Sequence, residues 1–422
     1  MGKRFRKEII FKYSVIFYLA AAAWVLPKMG GGFHAALSFL KNMETDTGFQ
    51  NGAGSFTSMD FRYQEKFQDT LGRYRYFASL YQEENSVPVP GLRSTDILGN
   101  PCTQMVPQGI CIAGDYMLVT AYDSGTPYQV KPGQRSRKVN KSVLYVLSNQ
   151  GAGSRELLVT VVLPDINHVG GVAFDGQNVW IAKSTDRQCS VVPYGTIQQA
   201  AQSGASSYEL TSYGQNVPCG AVASFVTWHS GKLWVGTYSN RVSGKGGLRS
   251  FSVKKEQGAE GQVFSLQQEE QIAIPGYANG AAFLEQGGNT YLVVTTSKGR
   301  YFDSEVYFYK VAEDCFTGRN LYYLEKSCQF PPMAEELVCD GGRAYFLFES
   351  SATCYSTPYW KCSYPVDRIC AVSASELLGN HQGIRKLQGM AEYFLEGVCC
   401  LPAYICNSYW KKRRLWGWGT AA

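Results

Sequence analysis

Along the middle of the chain, apolar and polar positions alternate in short runs, and one arrangement of them repeats. The copies are "QGICIAGDYMLVTAYD" (108–123), "GGVAFDGQNVWIAKST" (170–185), "SFVTWHSGKLWVGTYS" (224–239), "NGAAFLEQGGNTYLVVTTS" (279–297) and "EELVCDGGRAYFLFESS" (335–351). Each is a short apolar strand, a glycine-containing turn and a second strand with an aromatic or bulky aliphatic centre, a pattern that predicts a hairpin. The turn glycines supply the positive φ that tight hairpins require. The copies begin at 108, 170, 224, 279 and 335, so successive starts are 62, 54, 55 and 56 residues apart. A hairpin recurring at that spacing predicts a β-propeller, each repeat a four-stranded blade around a central channel. Between the hairpins, "SVLYVLS", "ELLVTVVL", "LRSFSV", "EVYFYKV" and "RICAVS" supply outer strands. The expectation is an all-β, five-bladed β-propeller over residues 96–380, with about 55 residues per blade. No hairpin pattern precedes residue 100 to make a sixth blade.

The flanks follow other rules. In "FRYQEKFQDTLGRYRYFASLYQEEN", Phe67, Leu71, Tyr74, Phe77, Leu80 and Tyr81 recur at three and four residues, the apolar face of an amphipathic helix. This helix either packs on the propeller or forms a stalk, and "NSVPVPGL" ends it. Residues 43–58 have the composition of a flexible linker, so 31–95 is linker plus helix. At the N-terminus Lys3, Arg4, Arg6 and Lys7 precede the apolar run Tyr13–Pro27. That order marks residues 1–30 as an export signal or membrane anchor. The run falls short of the roughly 20 residues of a full span. If the segment is retained, the positive-inside bias leaves the bulk of the chain outside the cytoplasm. The expected location is extracytoplasmic, secreted or membrane-anchored. Residues 381–422 are apolar and aromatic, hold Cys399, Cys400 and Cys406, and carry the basic run Lys411–Arg414. They suit either a membrane-surface segment or a loosely packed tail.

Composition narrows the classes. Hydrophobic residues are 45% and charged residues 18%, which excludes a disordered chain. The net charge of +6 permits an anionic partner without requiring one, and no nucleic acid is expected. There are 13 cysteines; export permits disulfides, and Cys189 with Cys219, Cys315 with Cys328, and Cys354 with Cys362 are the local pairs. Their spacing is not that of a zinc site. Cys111 and Cys339 lie in apolar strands and are expected to be buried hydrophobes. No phosphate-binding glycine loop, zinc-protease helix or serine-nucleophile elbow occurs.

In a propeller, residues at the start of each innermost strand ring the channel mouth. Here the ring is Gln108, Gly170, Ser224, Asn279 and Glu335, with His168 two residues ahead of Gly170. Adjacent strand residues point to opposite sides, so only one of Glu335 and Glu336 is expected to face the channel. Gln108, Asn279 and Glu335 are oxygen donors suited to calcium. The connections after each second strand return to the same face and carry Lys131, Arg135, Arg137, Lys138 and Lys141, then Lys183 and Arg187, Arg241 and Lys245, Lys298 and Arg300, and Lys361 and Arg368. Aromatics accompany them: Tyr122, Tyr128, Tyr238, Tyr301, Phe302, Tyr359 and Trp360.

The pieces "MVPQGICIAGDYMLVTAYD", "INHVGGVAFDGQNVWIA" and "RICAVSASELL" resemble exported bacterial β-propeller proteins with a PQG…H-x-GG pattern. The likeness spans about residues 60–380 and implies fold and export, with no activity attached. Three functions fit the residues. The first is a cell-surface module binding an anionic or sugar-containing ligand, such as an envelope polymer, at the top of the channel. Its contacts would come from Gln108, His168, Asn279, Glu335, Arg187, Arg241, Arg300, Tyr122 and Tyr238. The second is a glycosidase or phosphodiester hydrolase at the same mouth, with Glu335, Glu336 and His168 as catalytic candidates and Asp123, Asp165 or Asp303 as a partner acid. The third is a protein-interaction scaffold.

Overall fold

The hairpin repeats form five sheets whose innermost strands contact one another in a closed cycle, a five-bladed β-propeller. The computed structural model describes residues 57–379 apart from 132–133, 150–154, 241–245, 259–260 and 357–360, all within one compact unit. The export segment, most of the linker, the C-terminal tail, and Arg241, Lys245, Tyr359 and Trp360 lie outside the described residues, as does the side chain of Tyr128.

The described residues open with α1 (Gln64–Arg73) and α2 (Arg75–Leu80). The expected single helix is broken at Tyr74, whose hydroxyl donates to Asp303 Oδ1 at 2.6 Å. The apolar face packs as predicted: Phe67, Phe77 and Leu80 lie in the core between blades four and five, beside Val293, Phe308, Phe346 and Phe348. Each such side chain contributes about 1.5–3 kcal/mol by burial. That packing sets aside the stalk.

There follow β1 (Val87–Pro88), the small hairpin β2 (Thr95–Ile97) and β3 (Asn100–Cys102), and then blade one: β4 (Met105–Ala113), β5 (Tyr116–Asp123), β8 (Val143–Ser148) and β9 (Leu157–Val162). A side hairpin, β6 (Thr126–Lys131) and β7 (Gln134–Lys138), interrupts it. Blade two is β10 (Gly171–Phe174), β11 (Asn178–Lys183), β12 (Gln188–Pro193) and β14 (Gln215–Pro218). Between β12 and β14 the chain makes an excursion through α3 (Tyr194–Gln202) and β13 (Ser207–Glu209), and β13 pairs parallel with β9 of blade one. Blade three is β15 (Phe225–His229), β16 (Lys232–Thr237), β17 (Gly246–Gly258) and β18 (Gly261–Ile274). Blade four is β19 (Ala278–Gln286), β20 (Asn289–Thr296), β21 (Ser304–Glu313) and β22 (Asn320–Phe330). Blade five is β23 (Ala334–Asp340), β24 (Arg343–Phe348) and β25 (Arg368–Ser373), and α4 (Ala374–Gly379) follows.

Blade five takes its outermost strand from the other end of the chain: β1 pairs with β25, Val87 opposite Ile369. The propeller therefore starts at Val87 rather than at residue 96. Two residues including a proline make no strand pattern, and proline is tolerated there because β1 is an edge. The ring is thus closed by hydrogen bonds between the first strand and the last.

The core lies between the blades. Five buried clusters each join two neighbouring sheets, for example Leu118 and Val146 of blade one with Val179 and Ile181 of blade two. Because both faces of each blade are covered, the inner strands carry nearly continuous apolar runs.

Two groups of sequence expectations are corrected here. Arg368 is not on the top loops; it is wholly buried on β25, paired with Asp367 at 2.9 Å and donating to Gln64 Oε1 at 2.7 Å. Cys315 and Cys328 cannot bridge, because Cys315 sits in the turn before β22 and Cys328 lies eight residues along that strand from Asn320, about 26 Å away at the rise of an extended chain. Cys354 and Cys362 are also free, the Cys362 thiol facing the Arg300 carbonyl at 3.8 Å. Cys111 is buried as expected, and Cys339 is partly buried. No helix among the described residues is long and apolar enough to cross a membrane.

Candidate functional site

Three of the five inner strands carry a register irregularity at the ring: between Pro107 and Ile110, between Ala278 and Gly280, and between Ala334 and Leu337. A bulge re-aims the side chains beside it. This overturns the expectation that strand alternation would send Glu335 and Glu336 to opposite sides: both converge on the channel, at different depths.

Glu336 lies deeper. Its Oε2 accepts from the Ile110 N–H at 2.9 Å and the Val172 N–H at 3.0 Å, and its Oε1 from the Val226 N–H at 3.3 Å. One side chain from blade five thus ties the inner strands of blades one, two and three. The corresponding positions in the other blades are Gly109, Gly171, Phe225 and Gly280. A Cβ on Gly171 would lie 2.8 Å from Glu336 Oε1, and one on Gly280 would lie 2.5 Å from the Glu336 Cα. These glycines leave the axis free for a single carboxyl. Burial pushes the Glu336 acid well up, and the three backbone N–H groups pull it back by favouring the charged form.

Glu335 lies above it. Its Oε1 accepts from Asn279 Nδ2 at 2.9 Å, and its carboxyl is hydrogen bonded to that of Glu349. Glu349 also accepts from Gln108 Nε2 at 3.0 Å and the Tyr355 hydroxyl at 3.2 Å. Burial raises both acids: Glu335 well up, with the neighbouring Glu349 charge adding to the shift, and Glu349 to about 7. Two carboxyls in contact hold one proton between them, because two like charges at that distance are costly. The two carboxyls titrate as one unit, so the shared proton belongs to the pair.

Tyrosines wall this pair. The Tyr122 ring lies tilted by 35° against His168 at 4.3 Å between centroids, and Tyr122 and Tyr355 are hydrogen bonded. Tyr238 is 39% exposed and meets Tyr277 edge-on at 6.0 Å. Burial lowers His168, which is therefore the neutral imidazole near neutral pH, and raises Tyr238 to about 12. Tyr277 and Met333, at equivalent points just before β19 and β23, hold φ of 62° and 66°. Non-glycine residues in that region cost about 1–3 kcal/mol and concentrate at functional sites.

Of the residues expected at the mouth, Gln108, Asn279, Glu335, His168, Tyr122 and Tyr238 are there. Arg300 lies over the Tyr355 ring at 5.6 Å and lowers Glu349 electrostatically. Lys298 lies over the Tyr277 ring at 5.7 Å. Arg187 is exposed on the turn after β11. Among the described side chains, which leave out Lys131 and Arg135, three further basic loop residues are committed to local partners. Lys183 is buried against Asp165 and Asp186, Lys141 pairs with Glu209 at 3.1 Å, and Arg137 donates to the Ser124 carbonyl. The acids considered as catalytic partners are also committed elsewhere. Asp123 accepts from Gly125 and Asn140, Asp165 from Lys183 and Tyr213, and Asp303 from Tyr74.

Calcium at Gln108, Asn279 and Glu335 does not fit this arrangement, since both amides turn N–H groups onto carboxyl oxygens and the two acids share a proton. Among the described residues, no group of three or more His, Cys, Asp and Glu is placed to hold a metal.

Glu349 and Tyr355 were missed by the sequence reading. The alignment that gives Gln108, Gly170, Ser224 and Glu335 also gives, at the exit of the second strand, Tyr122, Ser184, Tyr238 and Glu349. That second ring sets Glu349 at the level of Tyr122 and Tyr238, one residue before the Ser350 and Ser351 that end the repeat.

Neither a protein-family model nor a curated protein matches the sequence. Solved structures of similar shape include a glutaminyl cyclase of Myxococcus xanthus (11% identity, 59% of this chain and 88% of that one, TM-score 0.33). A nidogen/laminin complex is similar at 11% identity over 64% and 84% (TM-score 0.30), and BamB of Moraxella catarrhalis at 9% over 69% and 80% (TM-score 0.28). At these values no function carries over.

Proposed function

We propose that this chain is an exported binding propeller that holds a sugar-containing ligand in its channel mouth. The observation that carries the reading is Glu349, a half-buried residue at the mouth whose carboxyl meets the Gln108 amide, the Tyr355 hydroxyl and the Glu335 acid. Fixed acceptors and donors beside tyrosine faces suit a ring of hydroxyls, which needs both hydrogen-bond senses and an apolar face to stack on. The acid pair on the floor opposes an anionic group placed there, so of the two ligand types expected from the sequence the sugar is favoured. Lys298 and Arg300 could meet an acidic substituent only at the rim. Export rests on the basic and apolar order of residues 3–27.

The test is a thermal-shift and calorimetric screen of neutral oligosaccharides, anionic glycans and calcium. Wild type, Glu349→Gln and Tyr238→Ala are compared. A neutral glycan at 100 times its Kd should stabilise the wild type by about 2.7 kcal/mol, with the gain reduced in both variants. No shift with any sugar removes the reading. A calcium shift abolished by Glu335→Gln would make the mouth a cation site instead.

A second reading, acid–base hydrolysis, is favoured by one observation, the proton shared between Glu335 and Glu349. Glu349 would take a proton from water while Glu335 gives one to the leaving group. Paired glycosidase carboxyls stand about 5–10 Å apart, which does not match two acids in contact. Turnover of a glycan, lost in both Glu335→Gln and Glu349→Gln, would favour this reading over binding alone.

A further inference from the structure

We propose that Cys189 and Cys219 form a disulfide site that locks the base of the blade-two excursion when the chain meets an oxidising disulfide. Both thiols are free in this structure. Cys189 lies on β12 opposite Val217, and two residues further along the ladder the Cys219 N–H donates to the Arg187 carbonyl at 3.1 Å, which makes the two cysteines diagonal neighbours. The two cysteines therefore share one face of adjacent antiparallel strands. Both are enclosed in the core between blades two and three, 0% and 3% exposed, with their thiols hydrogen bonded to each other. A disulfide requires Cα atoms within about 7 Å and sulfurs at about 2 Å, so thiols already in contact on paired strands need only a small closure. Cys354 and Cys362 lack that contact, and Cys315 and Cys328 are far apart.

The chemistry balances without a cofactor. The Cys219 thiolate attacks a low-molecular-weight disulfide and displaces one thiol. Cys189 gives up its proton, attacks Cys219 of the mixed disulfide and displaces the second thiol. Two protein thiols are oxidised, two external sulfurs are reduced, and two protons pass to the leaving thiolates. The bond would close the segment 189–219, which carries α3 and sends β13 to pair with blade one. It would also fix the turn that presents Arg187.

The experiment treats the full-length chain with increasing oxidised glutathione, then denatures it, alkylates the free thiols and maps the peptides. The expected result is one cross-linked peptide pair joining Cys189 to Cys219, two hydrogens lighter than the reduced pair. A rise of a few degrees in Tm should appear in the wild type and be absent in Cys219→Ser. Full alkylation of both cysteines at an oxidant level that closes a control disulfide overturns the proposal. So does capture of either one by glutathione or by another cysteine. Peptide mapping of the wild type decides the matter even if the serine variant does not fold.

Discussion

Replacing Glu336 with alanine tests the central claim about the axis. The side chain accepts the N–H groups of Ile110, Val172 and Val226 from three other blades, and it is 1% exposed. A buried N–H left without a partner costs about 1–3 kcal/mol, so three give about 3–9 kcal/mol. Water entering the vacated space would recover part, which leaves about 3–6 kcal/mol. With an unfolding entropy of about 2.1 cal/mol/K per residue over roughly 300 residues of the propeller, that is a fall in Tm of about 5–10 °C. Glu336→Gln keeps one acceptor oxygen but turns an NH2 toward backbone N–H groups, so it should lie between the two. Scanning calorimetry at one scan rate gives the Tm. Hydrogen exchange gives the local readout, in which the amides of Ile110 and Val172 lose more protection than that of Val226, whose bond is longest. A Glu336→Ala protein within a degree or two of wild type would refute the reasoning, as would unchanged protection at all three amides.

Three further outcomes follow from the same geometry. Glu349 is raised to about 7 in the folded chain against about 4.3 unfolded, so the folded state keeps a proton that the unfolded chain has released. That stability is present in full below pH about 4 and is lost as pH rises through about 7. The Tm of wild type should therefore fall relative to Glu349→Gln over that window, and a constant difference would count against the shared proton. Gly170→Ala places a Cβ 1.9 Å from the Ser224 carbonyl oxygen, a clash with backbone that should cost about 3 kcal/mol and be read as lost soluble yield or a lowered denaturation midpoint. Arg368→Met leaves the Asp367 carboxylate buried without its cation, for a loss of about 3–5 kcal/mol in denaturant unfolding.

The fold was legible because its unit repeats. Five hairpins at near-constant spacing carry the same instruction, and the apolar centres of their strands are demanded by cores that lie between blades. What could not be read belongs to single, unrepeated pieces. Val87–Pro88 closes the ring with two residues, too few for a period. The outer strands β18 and β22 are long and largely polar because they face solvent on one side, so their alternation resembles loop composition. Tyr74 breaks the predicted helix because its hydroxyl is drawn to Asp303, a partner 229 residues away along the chain.

The site was legible to the level of the ring and no finer. Alignment brought Gln108, Asn279 and Glu335 together correctly, since position in a repeat fixes position round the axis. It failed at the glutamates because strand alternation assumes a regular pleat, and the ring sits on bulges. The glycines at 109, 171 and 280 carried the missing signal. Three of five blades surrender a side chain at one position, and a fourth, Phe225, turns its own toward Gly236 within its blade. A layer so emptied can hold one long polar side chain from the fifth blade, and Glu336 is the residue at that position. The division of labour between neighbouring acids follows from depth. Below, backbone donors from three blades fasten Glu336 as a strut. Above, side-chain donors leave Glu335 and Glu349 to share a proton at the channel mouth.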